Sequence, residues 1–327
     1  MKEALFYCSL KNQQVQCYLC PHECRISNEE FGQCRMRKNE KGKLYSLNYG
    51  VIMAYHLDPI EKKPLYHFYP GSRIFSIGSA GCNLKCEFCQ NWAIVLGQPS
   101  GIRMTAEEII AIAKTQSQNI GIAYTYNEPS IWYEFVYETA VLAHQKGLKN
   151  VLVTNGFIQK EPLKQLLPYI DAMNIDLKAF HDSFYREICN GKLDPVKETI
   201  RIAAKHCHVE ITTLLIGGMN DSIEEIGRLS CWIAEIRPDI PLHLSRYFPA
   251  YQMTAPPTPI PVLTAAREEA KKHLQYVYIG NVHGVDRNTY CPACGTKIVN
   301  RSCIVETQGI DREGKCSECG QMLSIVR

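Results

Sequence analysis

The feature that most constrains this chain is a loop with three cysteines at the spacing C-x3-C-x2-C, formed by Cys82, Cys86 and Cys89 with no fourth cysteine nearby. Three thiolates at this spacing can hold three irons of a cubane 4Fe–4S cluster, and the fourth iron then lacks a protein ligand. Catalytic metal sites keep such a position open for a small molecule. Two alternative interpretations are a zinc knuckle that lacks one ligand and three structural thiols.

Composition indicates further metal sites. The chain has 327 residues, 16 cysteines and a formal net charge of +3. Its N-terminus lacks a long apolar stretch, and no apolar run is long enough to span a bilayer. We therefore expect a cytoplasmic protein whose reduced thiols bind metals rather than form disulfides. The mild charge requires neither nucleic acid nor an anionic membrane as a partner.

Two other cysteine sets flank the loop. The C-terminal set forms two C-x2-C-G motifs that suit tetrahedral zinc, and without a basic stripe beside it we expect a structural zinc ribbon. Its members are Cys291, Cys294, Cys316 and Cys319. The N-terminal set suits either zinc or a second iron–sulfur cluster, and His22 could replace one ligand. Its members are Cys17, Cys20, Cys24 and Cys34. We expect ordinary buried thiols at the remaining cysteines, Cys8, Cys189, Cys207, Cys231 and Cys303.

The pattern of apolar residues predicts an α/β fold. Between residues 73 and 283, short β-branched runs alternate with helical patterns, which is typical of a parallel sheet built from βα units. About seven strands are predicted, fewer than the eight of a complete TIM barrel. Two sequence pairs predict capping boxes at helix starts, Thr105 with Glu108 and Ser222 with Glu225. We expect a barrel at 71–283, flanked by a Cys-rich metal-binding segment at 1–70 and a zinc-ribbon-like tail at 284–327.

An aromatic residue, Phe88, directly precedes the third cysteine of the loop. The loop therefore resembles the C-x3-C-x-aromatic-C signature of the radical S-adenosylmethionine (SAM) superfamily. The resemblance implies that the open iron chelates the amine and carboxylate of SAM. It also implies that one electron from the cluster cleaves SAM to methionine and a 5′-deoxyadenosyl radical. The implied fold is a partial, open (β/α)6-type barrel.

Polar motifs follow the predicted strands, and in βα folds chemistry collects at such strand ends. The segment 126–129 resembles the GGEP motif that binds the SAM amino group, with Tyr126 and Asn127 in place of the glycines and Glu128 kept. Two further strand ends resemble the T-N-G and D-L-K segments that handle the ribose and methionine parts of SAM in the activating enzymes of glycyl radical enzymes. The residues concerned are Thr154, Asn155, Asp176 and Lys178.

The charges of these residues match those of SAM. Lys178 suits the SAM carboxylate, and Asp176 suits its ammonium or the ribose hydroxyls. His243 occupies the position of a P-x-H histidine near SAM in the same activating enzymes, with a buried core histidine as the alternative. Each motif alone is also compatible with an ordinary polar strand end. Val153 stands where the activating enzymes have an Asp that helps to hold a monovalent cation, so we do not predict that cation site.

Over nearly its whole length the chain resembles the radical SAM component of the AmmeMemoRadiSam system, a relative of the pyruvate formate-lyase activating enzymes. The similarity rests chiefly on the C-x-L-C-P-H-x-C segment at 17–24 and the C-N-L-x-C-x-F-C-Q-N loop at 82–91. It implies a radical SAM oxidoreductase that binds a 4Fe–4S cluster, SAM and zinc. The implied partners are a reductant such as flavodoxin or ferredoxin and the proteins of the AmmeMemoRadiSam system. The substrate does not follow from the resemblance.

Three function classes are compatible with the sequence. The first is a radical SAM enzyme that acts on a small molecule or on a partner of its own system. The second is an activase that takes hydrogen from a glycine of a glycyl radical enzyme. The third is a non-catalytic iron–sulfur or zinc protein that transfers electrons or binds partners. The third class has no need for Glu128, Asp176 and Lys178, so these residues favour an enzyme.

Overall fold

The fold is built around a mixed sheet. A computed structural model of the protein describes residues 1–302 and 304–327. Within these residues, seven parallel strands follow one another in chain order across the sheet, and one antiparallel strand pairs with the first of them. Each parallel strand except the last is joined to the next by a segment that contains helix. This arrangement is the predicted open α/β barrel.

The strands of the sheet are mostly buried because they consist of β-branched and other apolar residues. They are β8 Ala54–Pro59, β9 Arg73–Gly78, β11 Asn119–Tyr124, β12 Lys149–Thr154, β13 Ala172–Asp176, β14 His208–Leu215, β15 Leu242–Arg246 and β16 Val277–Gly280. The short strand β10 Ile102–Arg103 lies outside this sheet. The helices are α1 Trp92–Val95, α2 Ala106–Thr115, α3 Tyr133–Gln145, α4 Lys160–Leu166, α5 Asp182–Cys189, α6 Leu193–Ala203, α7 Ile223–Ile236 and α8 Ile260–Ala270. Short 3-10 turns lie at Lys11–Gln13, Ile60–Lys62, Pro129–Trp132 and Leu167–Tyr169.

One of the two predicted capping boxes is confirmed. The Thr105 hydroxyl accepts from the Glu108 backbone N–H, and the Glu108 carboxylate accepts from the Thr105 backbone N–H. Ser222 also caps its helix by accepting from the Glu225 N–H. The carboxylate of Glu225, however, accepts from the backbone N–H of Phe180 at 2.6 Å, so the second box is only half formed. The Glu225 carboxylate thus bonds to a residue distant in sequence instead of to the Ser222 backbone N–H.

The N-terminal segment forms two small antiparallel sheets before it joins the barrel. One sheet has the strand order β1-β6-β5 and the other β2-β3-β4, and β7 pairs with β10. Their bounds are β1 Lys2–Glu3, β2 Tyr7–Ser9, β3 Val15–Cys17, β4 Arg25–Ile26, β5 Arg37–Glu40, β6 Lys43–Ser46 and β7 Val51–Ile52. Since β8 belongs to the central sheet, the segment predicted as 1–70 already contributes one strand to the barrel sheet.

The C-terminal tail is a small three-stranded sheet that packs on the barrel. Its strands are β17 Thr289–Tyr290, β18 Lys297–Asn300 and β19 Glu306–Thr307. Val326 forms a bridge with Phe68, and the Arg301 guanidinium donates to the carbonyl of Tyr66 and, at 2.8 Å, to the hydroxyl of Thr289. The tail is therefore joined to the barrel by a strand bridge and by a buried arginine.

The scattered cysteines do not share one environment. Cys189 is buried and Cys207 is half-buried, whereas Cys8 and Cys231 are exposed, so the prediction of a buried thiol is wrong for these last two. Cys303 lies outside the described residues. Across the part of the chain that the structure describes, no helix is both long and apolar enough to cross a membrane.

Candidate functional site

The carboxyl ends of the parallel strands surround a cavity of about 270 Å³, which we call the inner cavity. All but one of the predicted cluster and SAM residues line it. They are Cys82, Cys86, Phe88, Cys89, Asn127, Glu128, Thr154, Asn155, Asp176 and Lys178. These residues come from four strand ends and are brought together because parallel strands end at the same edge of the sheet.

The cysteine loop begins at a position that requires glycine. Gly81 has a φ of +92°, and a Cβ there would lie 2.3 Å from Met36 Cγ. Two backbone N–H groups then hold the loop: that of Lys85 donates to the carbonyl of Cys189, and that of Leu84 donates to Cys82 Sγ at 3.3 Å. Burial raises the pKa of the Cys82 thiol well above its ordinary value, and the nearby Glu128 carboxylate raises it further. A buried thiolate here therefore needs a positive partner such as iron.

The three sulfurs of the loop do not converge on one point. Among residues 1–302 and 304–327, Cys82, Cys86 and Cys89 do not form a group whose ligand atoms all lie within 4.8 Å of one another. They stand instead around the wall of the inner cavity. Sulfurs that do not converge on one point are compatible with a cubane cluster, because each thiolate binds a different iron.

The Asn127–Glu128 segment lies beside the loop in a strained conformation. Tyr126 has a φ of +69°, a region in which glycine is favoured, which accounts for glycine at this position in the GGEP motif. The tyrosine is held there by its hydroxyl, which donates to Asp58 at 2.7 Å. Asn127 then donates to the carbonyls of Ala80 and Gly81.

Glu128 is fully buried and organises two strand ends. Its carboxylate accepts from the Ser130 N–H at 2.9 Å, the Thr154 hydroxyl at 2.7 Å and the Asn155 N–H at 2.8 Å. Burial raises the pKa of Glu128, although these hydrogen bonds act in the opposite direction. The carboxylate thus links the second and third parallel strands at the cavity wall.

Asp176 and Lys178 form an ion pair in the wall of the inner cavity, with 3.0 Å between Lys178 Nζ and an Asp176 carboxylate oxygen. Burial opposes the charged form of Lys178, but Asp176 and Cys86 hold its pKa well above the usual value. Asn155 directs its amide N–H₂ toward Cys82 Sγ at 3.5 Å and toward the Asn83 side-chain oxygen at 3.0 Å. The inner cavity therefore contains thiols, one cation, two carboxylates and amide donors.

His243 is the predicted SAM residue that lies elsewhere. It is buried, stacks on Tyr278 and bonds through Nε2 to Glu210 at 2.6 Å. Glu210 also accepts from the backbone N–H groups of Tyr66 and His67. His243 lines a second cavity of about 910 Å³, which we call the large cavity. The observed contacts match the alternative of a satisfied core histidine at its rim.

The large cavity adjoins the inner one, because Gln90, Ser245 and Asn281 line both. Its far wall includes Arg301 of the tail, whose guanidinium lies over the Tyr66 ring. Sequence reasoning missed Glu210, Tyr66 and Arg301, since their contacts join residues that are far apart in the chain. It also missed Cys189, whose buried thiol neighbours Cys86 and lowers the pKa of Cys86.

A third opening, the outer cavity, reaches the cysteine loop from the side of the N-terminal segment. It has a volume of about 230 Å³ and is lined by Cys34 and Arg35 together with all three loop cysteines. Its rim carries Trp92 and Tyr251, two partly exposed rings stacked 5.7 Å apart. The loop is therefore reached from two directions.

The C-terminal cysteines converge on one point. The sulfurs of Cys291 and Cys319 are 3.6 Å apart, as are those of Cys294 and Cys316, and all four lie within 4.8 Å of one another. Four thiolates at 2.3 Å from a zinc ion would be separated by about 3.8 Å. The hydroxyl of Thr296 lies 3.2 Å from Cys294 Sγ, and this contact lowers the pKa of Cys294 to about 6. The set fits a zinc ribbon.

The family model of the Radical SAM superfamily matches residues 76–229. Uncharacterized protein MJ0808 of Methanocaldococcus jannaschii is 44% identical and aligns over 100% of both chains. Putative glycyl-radical enzyme activating enzyme MJ1227 of the same organism is 28% identical over 66% of this chain and 92% of that protein. Streptococcus suis SuiB bound to S-adenosylmethionine has a TM-score of 0.52 at 14% identity, covering 68% of this chain and 55% of that one, which shows a similar fold.

Proposed function

The chain belongs to the radical SAM superfamily, and from this premise we propose that it is an enzyme that cleaves SAM and uses the resulting radical to take hydrogen from a substrate. The observation that supports the proposal best is the inner cavity, which unites the three loop thiols with Glu128, Asp176 and Lys178. A protein that only transferred electrons would not need a charged small-molecule pocket beside its cluster.

We assign the loop cysteines as ligands of a 4Fe–4S cluster. When bound and reduced, such a cluster supplies the electron that cleaves SAM to methionine and a 5′-deoxyadenosyl radical. Asn155 is placed to stabilise the Cys82 thiolate through its amide N–H. Phe88 packs against Phe184 behind the loop and fixes the position of Cys89.

The charged side chains would hold the two ends of the amino acid part of SAM. The Lys178 ammonium is half of an ion pair in the structure, and the SAM carboxylate can share it with Asp176. Asp176, the more exposed partner, can then accept from the SAM ammonium or the ribose hydroxyls. A zwitterion in a pocket of low dielectric constant is bound well only when both of its charges are paired.

The large cavity is the candidate substrate site. It shares the wall of Gln90, Ser245 and Asn281 with the inner cavity, so a substrate there would face the position of the radical. A volume of about 910 Å³ suits a small molecule or a short segment of a partner protein. We propose a flavodoxin or ferredoxin as reductant and proteins of the AmmeMemoRadiSam system as candidate partners.

A glycyl radical activase is the second candidate function. The similarity to a protein described as a putative glycyl-radical enzyme activating enzyme favours it. An activase would leave a stable radical on a glycine of a large partner enzyme, whereas an enzyme of the first kind would release a modified small molecule or peptide. EPR spectroscopy of the partner after turnover distinguishes the two.

The central test is anaerobic reconstitution with iron and sulfide, followed by reduction. We expect a reduced-cluster EPR signal that shifts on addition of SAM, and release of 5′-deoxyadenosine and methionine. The variant Cys82→Ala/Cys86→Ala/Cys89→Ala should lose both the SAM-responsive signal and SAM cleavage. Cys231→Ala, at an exposed thiol, is the matched control and should keep both. An EPR signal of the wild-type protein that stays unchanged when SAM is bound would contradict the proposal.

A further inference from the structure

The outer cavity adjoins a wider groove, which we call the side groove. The side groove has a volume of about 700 Å³ and is lined by residues of the N-terminal segment and of the stretch 85–98. Five residues line both spaces, namely Gln33, Arg35, Lys85, Val95 and Leu96. The two spaces therefore form one depression, which leads from the N-terminal segment to the three loop cysteines.

The lining of this depression carries positive charge, and we call it the basic surface. Arg25, Arg35 and Lys85 belong to it, and all three are exposed. None of their side chains forms an ion pair with another of the described residues. Glu23 is the one acidic residue that lines either space. The basic surface therefore favours an anionic partner.

Exposed apolar side chains stand among these cations. Phe31 lines the side groove, Trp92 and Tyr251 line the outer cavity, and Leu96 lines both. These four side chains are between 39% and 50% exposed. Aromatic rings and arginines are the residues that protein–protein interfaces contain in excess of the rest of a protein surface. The partner that suits the basic surface is therefore an acidic protein.

The position of the basic surface indicates what such a protein would do, given the proposed function. Glu128, Asp176 and Lys178 line the inner cavity but neither the outer cavity nor the side groove. A partner on the basic surface would thus approach the loop cysteines without meeting the SAM residues or the large cavity. Hydrogen transfer needs contact with the radical, whereas an electron can pass between redox groups that do not touch. An electron donor fits this position, and a substrate does not.

We propose that the basic surface binds an acidic one-electron carrier protein. One electron leaves the reduced carrier and enters the oxidised loop cluster, and no atom is transferred. The carrier and SAM would use different openings, so the carrier can bind while SAM occupies the inner cavity. The proposal rests on the proposed function, because only an enzyme that reduces its cluster needs such a donor.

The first test measures binding and needs no turnover. The variant Arg25→Glu/Arg35→Glu reverses two charges of the basic surface. Lys114→Glu/Arg228→Glu is the matched control, since it changes the net charge equally at two exposed helix positions that line neither space. The probe is an acidic flavodoxin in its oxidised form, and anaerobic calorimetry with the reconstituted protein at low salt gives each Kd.

We expect the wild type and the control to bind this flavodoxin with equal affinity. The Kd of Arg25→Glu/Arg35→Glu should be about tenfold higher, because like charges then face each other. Added salt should weaken the wild-type complex, since exposed charges are screened. Two results would overturn the proposal. One is an equal Kd in the wild type and Arg25→Glu/Arg35→Glu, and the other is a wild type that does not bind the flavodoxin.

The second test compares two reductants in SAM cleavage. Photoexcited 5-deazaflavin is small and uncharged, so it needs no docking surface. With it, Arg25→Glu/Arg35→Glu should cleave SAM as fast as the wild type. With a limiting amount of reduced flavodoxin, the same variant should be about tenfold slower. An equal loss with both reductants would show damage to the SAM site and overturn the proposal. A wild type that cleaves no SAM with 5-deazaflavin would contradict the proposed function, and the binding test would still decide the docking.

Discussion

In the C-terminal ribbon, four sulfurs converge at the surface, and both Cys294 and Cys319 are exposed. In the barrel loop, three sulfurs stand in the wall of the inner cavity and do not converge on one point. The ribbon has only a small apolar core, centred on Ile298 and Val299, whereas the barrel has an extensive one. We therefore expect the ribbon to need a metal in order to fold, and the barrel to need one for chemistry.

Among the changes that test this difference, removing one ribbon cysteine should have the largest effect. Cys316→Ser should release about one zinc per chain and unfold the tail, since a structural zinc site contributes on the order of 10 kcal/mol. Within the described residues, neither cavity beside the loop cysteines is lined by the tail, so iron content should stay unchanged. Substrate binding in the large cavity should weaken, because Arg301 of the tail lines that cavity. Elemental analysis and limited proteolysis measure the two effects. Loss of the iron together with the zinc would show that the metal site of the barrel depends on the ribbon.

The next effect concerns the charged wall of the inner cavity. Lys178→Ala should weaken SAM binding by about 1–3 kcal/mol, because a charge-assisted hydrogen bond is lost. Lys164→Ala, on an exposed helix face, is the matched control and should bind SAM normally. Anaerobic calorimetry measures both affinities. Unchanged affinity in Lys178→Ala would remove this residue from the site.

A smaller effect tests the seam between barrel and tail. His67 contacts the Tyr278 hydroxyl and the Ser324 carbonyl, and burial lowers its pKa to about 3. Between that value and about 6.5, the unfolded chain binds a proton that the folded chain does not. Stability should therefore fall as pH drops below about 6.5, by about 1.4 kcal/mol per pH unit.

The variant His67→Gln should remove this pH dependence. Between pH 7.5 and pH 5.5, the thermal midpoint of the wild type should fall by roughly 2–4 °C more than that of the variant. His206→Gln, at an exposed position, should behave like the wild type. Equal decreases in wild type and His67→Gln would show that His67 does not contribute to acid sensitivity.

The smallest effect is expected at Asn155. Asn155→Ala removes the N–H donor that lies 3.5 Å from Cys82 Sγ, so the reduced, more negative cluster loses a stabilising contact. The midpoint potential of the loop cluster should shift to a lower value without loss of iron. Gln145→Ala, at an exposed helix end, should leave the potential unchanged. Spectroelectrochemistry gives both potentials. An equal value in the two variants would show that the Asn155 amide does not influence the potential of the cluster.

The site could be predicted from sequence to the extent that it consists of strand ends. Residues 126–128, 154–155 and 176–178 each lie at or just beyond the end of a recognisable strand, and parallel pairing then places them at one edge. The contacts of Glu128 with Thr154 and Asn155 follow from that edge, although their geometry does not.

What could not be predicted depends on packing between distant segments. His243 bonds to Glu210, which in turn holds the backbone at Tyr66, and no local pattern marks these partners. Helix α5 was missed, and its final residue, Cys189, meets Cys86 only after the helix has packed behind the loop. The bridge between Phe68 and Val326, which joins the tail to the barrel, also links residues that are far apart in the chain. The local sequence around each of them does not indicate this pairing.

The outer cavity has a consequence for how the protein must be handled. SAM bound in the inner cavity would cover the loop cysteines from one side only, while the outer cavity still exposes them beneath Trp92 and Tyr251. Dioxygen is small enough to enter by this second path. We therefore expect SAM to give little protection against oxidative loss of iron. Bulky residues at the rim of the outer cavity would be the better means of making the enzyme tolerant of air.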